Sequence, residues 1–230
     1  MQFRTIAVIA MSVAAPASAQ DGGWFGPGAF DSAIFNAQAD AMLRRSHQRI
    51  FKESIEESLG HPVNPAPSAA RPAVSPPVVQ QVAAELASGF PASQRGKAAA
   101  LFGDLYRRYG QLERQLGIAA GDPAGGIASL TAASYMAFAD AEVSDTAFRA
   151  LYRQMRGLAA RPAAAGEDAQ GRVTIAILAT YLAATREALK QHPSTERAAA
   201  LKAAGGTYLR ALLGVDPARV QVGEQGLTLR

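Results

Sequence analysis

Cysteine is absent from the 230 residues, which excludes a disulfide framework, a thiolate metal site and a lipid-accepting cysteine. Stability must come from core burial alone, which is feasible for a domain of about 150 residues that buries roughly 68–70% of its unfolded surface. Histidine is nearly as scarce: His47, His61 and His192 lie far apart, two of them beside prolines. A zinc site needs three or four ligands at workable spacing, so no metal is expected. Tryptophan occurs once, at Trp24, and charge of one sign is not concentrated, 23 basic against 19 acidic side chains leaving +4. A nucleic-acid footprint needs basic residues clustered on one face, so no nucleic acid is expected as a partner. No apolar run approaches the roughly 20 residues of a membrane span.

What is present begins with an export pattern. Arg4 supplies a basic start, residues 6–15 an apolar stretch, and Ala17-Ser18-Ala19 a small-residue cleavage site behind Pro16. Those three features predict a signal peptide over residues 1–19, cut between Ala19 and Gln20, and a mature protein that is periplasmic or secreted. The apolar stretch is about half as long as a bilayer requires, so no integral membrane anchor is expected.

Residues 20–30 hold Gly22, Gly23, Gly26, Pro27 and Gly28 around Trp24 and Phe25. Glycine is permissive and proline removes a donor, so this reads as a flexible lead-in whose tryptophan is a candidate partner contact. Residues 31–60 carry a separate N-terminal helix, with Asp31 as its cap and Gly60 then Pro62 as its stop. Six of the 13 prolines fall in residues 61–77, the composition of an extended, semi-rigid linker. From residue 78 to 230 the chain reads as one all-α domain, a single bundle of five to six helices. Alanine, the best helix former, is the commonest residue by a wide margin, which favours helix throughout. Ser75 with Pro76 and Pro77, Asp122 with Pro123, Ser144 and Ser194 mark helix starts, while Gly117 and Gly214 mark ends. The spacing of Ala98, Phe102, Leu105, Tyr109, Leu112 and Leu116 alternates four and three, as in a helix packed on helices. Residues 173–184 are the most apolar stretch after the signal and predict a helix buried on most sides. The tail predicts a turn after Asp216-Pro217 and a short extended piece through residues 220–229.

Residues 109–138 read YGQLERQLGIAAGDPAGGIASLTAASYMAF, and the chain closes on EQGLTL. These stretches resemble a family of bacterial exported, alanine-rich helical proteins defined only as a domain of unknown function, in which a QLERQLGI-like stretch precedes an acidic helix start, a SYMAY-like segment and a C-terminal GL motif. The resemblance spans roughly residues 78–229. It implies one exported helical domain and carries over no activity, cofactor or site residue. Phe138 stands where that family often has an aromatic hydroxyl.

Catalytic motifs are missing. No G-x-S-x-G elbow presents a serine, and Ser134-Tyr135 sits within a helical pattern with no lysine beside it in sequence. No catalytic, cofactor-binding or metal-binding residue is therefore assigned, and no cofactor is expected. Asp104 and Glu113, interspersed with Lys97, Arg107, Arg108 and Arg114, read as a solvated helix face. The six tyrosines all lie beyond residue 100; Tyr135 and Tyr181, on the two most apolar helices, are the best candidates to line a pocket between helices. The leading expectation is a non-catalytic binding or interaction module of the cell envelope that takes an envelope protein or a small apolar ligand through Trp24, Tyr135 or Tyr181. The alternatives are an envelope-polymer hydrolase using the paired carboxylates Asp140 and Glu142, and peripheral membrane association through the helix of residues 31–60.

Overall fold

The computed structural model describes residues 33–50, 55, 59, 71, 73–159 and 169–230. The expected signal peptide with its Ala19–Gln20 cut, Trp24 and most of the expected Pro-rich linker lie outside the described residues.

Seven α-helices are described: α1 (Ala33–Ile50), α2 (Pro76–Ala87), α3 (Arg95–Leu116), α4 (Pro123–Ala139), α5 (Asp145–Ala159), α6 (Ala169–Gln191) and α7 (Thr195–Leu213). A two-stranded antiparallel hairpin, β1 (Val220–Gly223) and β2 (Gly226–Leu229), closes the chain. Among the described residues the fold is all-α apart from that hairpin.

The helix boundaries follow local chemistry. Pro76 and Pro77 occupy the first turn of α2, where their missing amide hydrogens would have no helical partner. Asp122 accepts from the Ala124 amide and Pro123 begins α4, while Ser194 accepts from the Arg197 amide to start α7. Each side chain satisfies one orphan donor of its helix start. Gly117 ends α3 at φ 67° and Gly214 ends α7 at φ 72°, the left-handed conformation that costs glycine nothing.

α4 is the centre of the bundle. Residues 124–134 are buried without interruption, and the helix packs against α5, α6 and α7. Its composition explains how one helix accepts neighbours on several sides: Gly125, Gly126, Ala128, Ser129, Ala132 and Ala133 keep its radius small. The complementary device is on α7, where a Cβ at Gly205 would stand 2.7 Å from the Ser134 carbonyl oxygen of α4. The apolar stretch of α6 is buried as well, from Val173 through Leu182.

α1 packs on α6 and α7, with a smaller contact to α2. Its Phe35, Ala39, Met42 and Leu43 are buried in the same core as the bundle, at the i, i+4, i+7, i+8 spacing of an amphipathic helix. Phe35 stacks on Phe102 and meets Phe90 and Tyr181 edge-on, with ring centroids 5.4–5.8 Å apart. A Cβ at Gly89 would fall 2.7 Å from the Phe35 Cα, so only glycine lets the turn after α2 lie this close to α1. The helix that stands apart in sequence is thus seated on the bundle. The C-terminal hairpin is held similarly: Gln154 of α5 donates to the Leu227 carbonyl at 3.1 Å and accepts from the Leu227 amide.

Candidate functional site

A group of buried polar side chains gathers where α3 turns into α4. After Gly117, residues 118–121 bring the chain round to Asp122, with Gly121 at φ 68°. Asp122 is fully engaged: one carboxylate oxygen caps Ala124 and the other accepts the Tyr152 hydroxyl at 2.6 Å. This charge-assisted bond ties α5 to the start of α4. Glu113, one turn before the end of α3, accepts the Gly121 amide at 3.0 Å. Arg172, in the first turn of α6, donates to the Gly121 carbonyl, and the Arg71 amide donates to the Ala120 carbonyl at 3.0 Å.

Glu113 is only 6% exposed. Burial raises its carboxyl above the usual range; the Gly121 bond opposes that, the Asp122 charge adds to it, and Arg114 and Arg172 pull back without reversing the direction. Tyr109, one turn earlier on α3, is buried too, and burial pushes its hydroxyl well above the ordinary value, with the Glu113 charge adding to the effect. The Tyr109 hydroxyl faces Ser129 of α4, yet neither hydroxyl completes a hydrogen bond. By contrast Thr174 and Thr180 of α6 bond back to carbonyls one turn earlier, each at 2.9 Å.

Glu113 corrects the sequence reading, which grouped it with the solvated charges of its helix. The signal was available: Tyr109, Leu112, Glu113 and Leu116 follow the i, i+3, i+4, i+7 pattern of a buried face, and Tyr109 and Leu112 are buried. The cap that the sequence predicts at Asp122 is present; its bond to Tyr152, 30 residues away, has no sequence signal.

The two tyrosines singled out from sequence occupy different settings. Tyr181 lies in the aromatic core with Phe35 and Phe102, and burial raises its hydroxyl above the ordinary range. Tyr208 of α7, wholly buried, donates to Asn36 of α1 at 3.3 Å. Tyr135 is half-buried near the C-terminal end of α4, beside half-buried Met136 and Phe138. Lys202 of α7 stands 5.9 Å from the Phe138 ring centroid, and Gly206 lies against the same ring.

Asp140 and Glu142 follow α4. Asp140 caps the helix at φ 50° with its side chain in solvent. Glu142 binds Arg186 at 2.8 Å and Lys190 at 3.3 Å, and Arg186 also reaches Asp140 at 3.7 Å. Partial burial pushes the Glu142 carboxyl up, but hydrogen bonds and charge from Arg186 and Lys190 outweigh it and hold the group below the usual range. A general acid needs the opposite shift, so Glu142 has the electrostatics of a fixed ion-pair partner of Arg186 and Lys190. Among the described residues no group of three or more His, Cys, Asp or Glu side chains is arranged to hold a metal, and no helix is long and apolar enough to cross a membrane.

A family model matches residues 5–230, nearly the whole chain, and its description is "Family of unknown function (DUF6683)". The chain belongs to DUF6683. No curated protein and no solved structure matches it. For this DUF6683 protein the match takes in α1 as well as the bundle, a wider span than the motif resemblance of residues 78–229.

Proposed function

We propose that this DUF6683 protein is an exported, non-catalytic interaction module of the cell envelope, whose partner is an envelope protein or a small apolar ligand. The observation that carries this reading is the C-terminal end of α4, where Tyr135, Met136 and Phe138 stay half-exposed on a helix whose residues 124–134 are all buried. Aromatic residues and methionine are the side chains enriched at interface cores, and the neighbouring Lys202 adds a cation at the rim. The basic start, apolar stretch and Ala17-Ser18-Ala19 site of the sequence support export. The ion-paired state of Asp140 and Glu142 weighs against the hydrolase alternative. Burial of Phe35, Ala39, Met42 and Leu43 in the core leaves those residues of α1 no lipid-facing role.

Two measurements test the reading. Intact mass of the native protein is expected to begin at Gln20; a mass that includes Met1 to Ala19 removes export by cleavage. A photo-crosslinking residue at position 135, in the native compartment, is expected to give a discrete adduct that weakens in a Phe138→Ser background. An equal yield at exposed Gln111 of α3 refutes the α4 end as the contact surface.

A further inference from the structure

We propose that the α3–α4 junction is a proton-controlled hinge: with Glu113 neutral, residues 117–122 close over its side chain, and ionisation of Glu113 favours their opening. The hinge requires no particular partner, so it stands apart from the interaction reading.

Glu113 is the group on which the hinge turns. It is almost wholly buried and makes no ion pair among the described residues. Its side chain's one described hydrogen bond is accepted from a backbone amide, that of Gly121, and a neutral carboxyl oxygen also accepts such a bond. A buried carboxylate without a counter-ion is expensive, whereas its neutral form is not. The charged groups around it do not remove that cost. Asp122, on the junction itself, is a second buried carboxylate already committed to Ala124 and Tyr152. Arg172 of α6 directs an N–H at the Gly121 carbonyl. Arg114 on α3 and Arg71 on the incoming segment are not bonded to Glu113, and Tyr106 and Tyr109 of α3 are neutral hydroxyls that burial makes harder to ionise.

The junction is built to respond as a unit. Gly117 and Gly121, both at positive φ, bound the short segment between α3 and α4. Its carbonyls and amides are pinned from three separate directions: Glu113 of α3, Arg172 of α6 and the Arg71 backbone. Opening it hydrates Glu113 and releases the Gly121 bonds together. Ionisation is easier in the open form than in the closed one, so the closed form binds the proton more tightly. Protection by closure is therefore complete in acid, below the open-state midpoint, and declines as pH rises through the closed-state midpoint.

The test uses the full mature chain. The Glu113 side-chain carboxyl is followed by carbon-13 NMR against pH, together with hydrogen exchange of the Gly121 amide corrected for intrinsic rate. Glu113 is expected to titrate above the ordinary glutamate range. Gly121 protection is expected to fall over the same interval, by about tenfold for each pH unit separating the closed and open midpoints. Glu113→Gln keeps an acceptor for the Gly121 amide and is expected to stay protected with no pH step. Asp122→Asn is expected to move the Glu113 midpoint down by removing the neighbouring charge. Titration at or below the ordinary range overturns the hinge, as does a step that survives Glu113→Gln. If Glu113→Gln does not fold, the wild-type protein still decides, because Gly121 protection that stays flat while the Glu113 carboxyl titrates also overturns it.

Discussion

Replacing Phe35 with alanine measures how firmly α1 belongs to the bundle. The ring is completely buried, and it meets Phe90 of the α2–α3 turn, Phe102 of α3 and Tyr181 of α6 at 5.4, 5.8 and 5.7 Å. Truncating a buried phenylalanine costs about 3–5 kcal/mol through lost transfer energy and the cavity left behind. Each aromatic pair adds about 0.5–1.5 kcal/mol beyond its area, so the upper half of that range is expected. Relaxation is limited, because Phe90 and Phe102 also contact each other and Phe102 contacts Tyr181, leaving little freedom to fill the gap. Against a total stability of about 5–15 kcal/mol, the loss is severe. At about 2–4 °C per kcal/mol for a chain of this size, the melting temperature should drop roughly 8–20 °C. Urea unfolding of the mature protein, read by circular dichroism, gives the free energy. Paired measurement with Phe102→Leu and the double variant isolates the coupling. A loss below about 1 kcal/mol, typical of surface positions, would refute the seating of α1, as would strict additivity of Phe35→Ala and Phe102→Leu.

Three further outcomes follow from the packing and the charges. Tyr152→Phe removes the hydroxyl bonded to the Asp122 carboxylate and is expected to cost about 1.5–3 kcal/mol in denaturant unfolding; a neutral result would mean that the α4 start and α5 are not tied there. Gly205→Ala places a methyl against the Ser134 carbonyl of α4 and should cost about 1–3 kcal/mol, whereas Gly110→Ala, with open space around it, should be neutral or stabilising. Glu142 is held below the usual carboxylate range, so its stabilising contribution is present above its unfolded-state midpoint and lost as pH falls through the folded one. Arg186→Gln should flatten that acid-side decline in melting temperature, and an unchanged pH profile would remove the pairing from the account.

Much of the fold was legible because its signals are local. Asp122-Pro123, Ser194, Gly117 and Gly214 each act within one turn of backbone, so the ends of α3, α4 and α7 could be read from sequence. The tail was legible as an extended piece, while its pairing as a hairpin and its capture by Gln154 depend on a residue more than 70 positions away. α4 was harder. An even spread of small and apolar residues gives no stripe, and a helix slim enough to be enclosed on several sides looks unremarkable as a string of alanine, glycine and serine.

The sequence by itself determined that this chain is helical, that no disulfide holds it, and where its helices begin and end, because propensity and capping are properties of neighbouring residues. Only the tertiary structure decided that Glu113 is buried, that Tyr152 serves Asp122, and that α1 completes the aromatic core through Phe35. Those facts depend on which helix faces lie against one another. That choice is made by the summed burial of surfaces remote in the chain, and no single stretch of residues contains it.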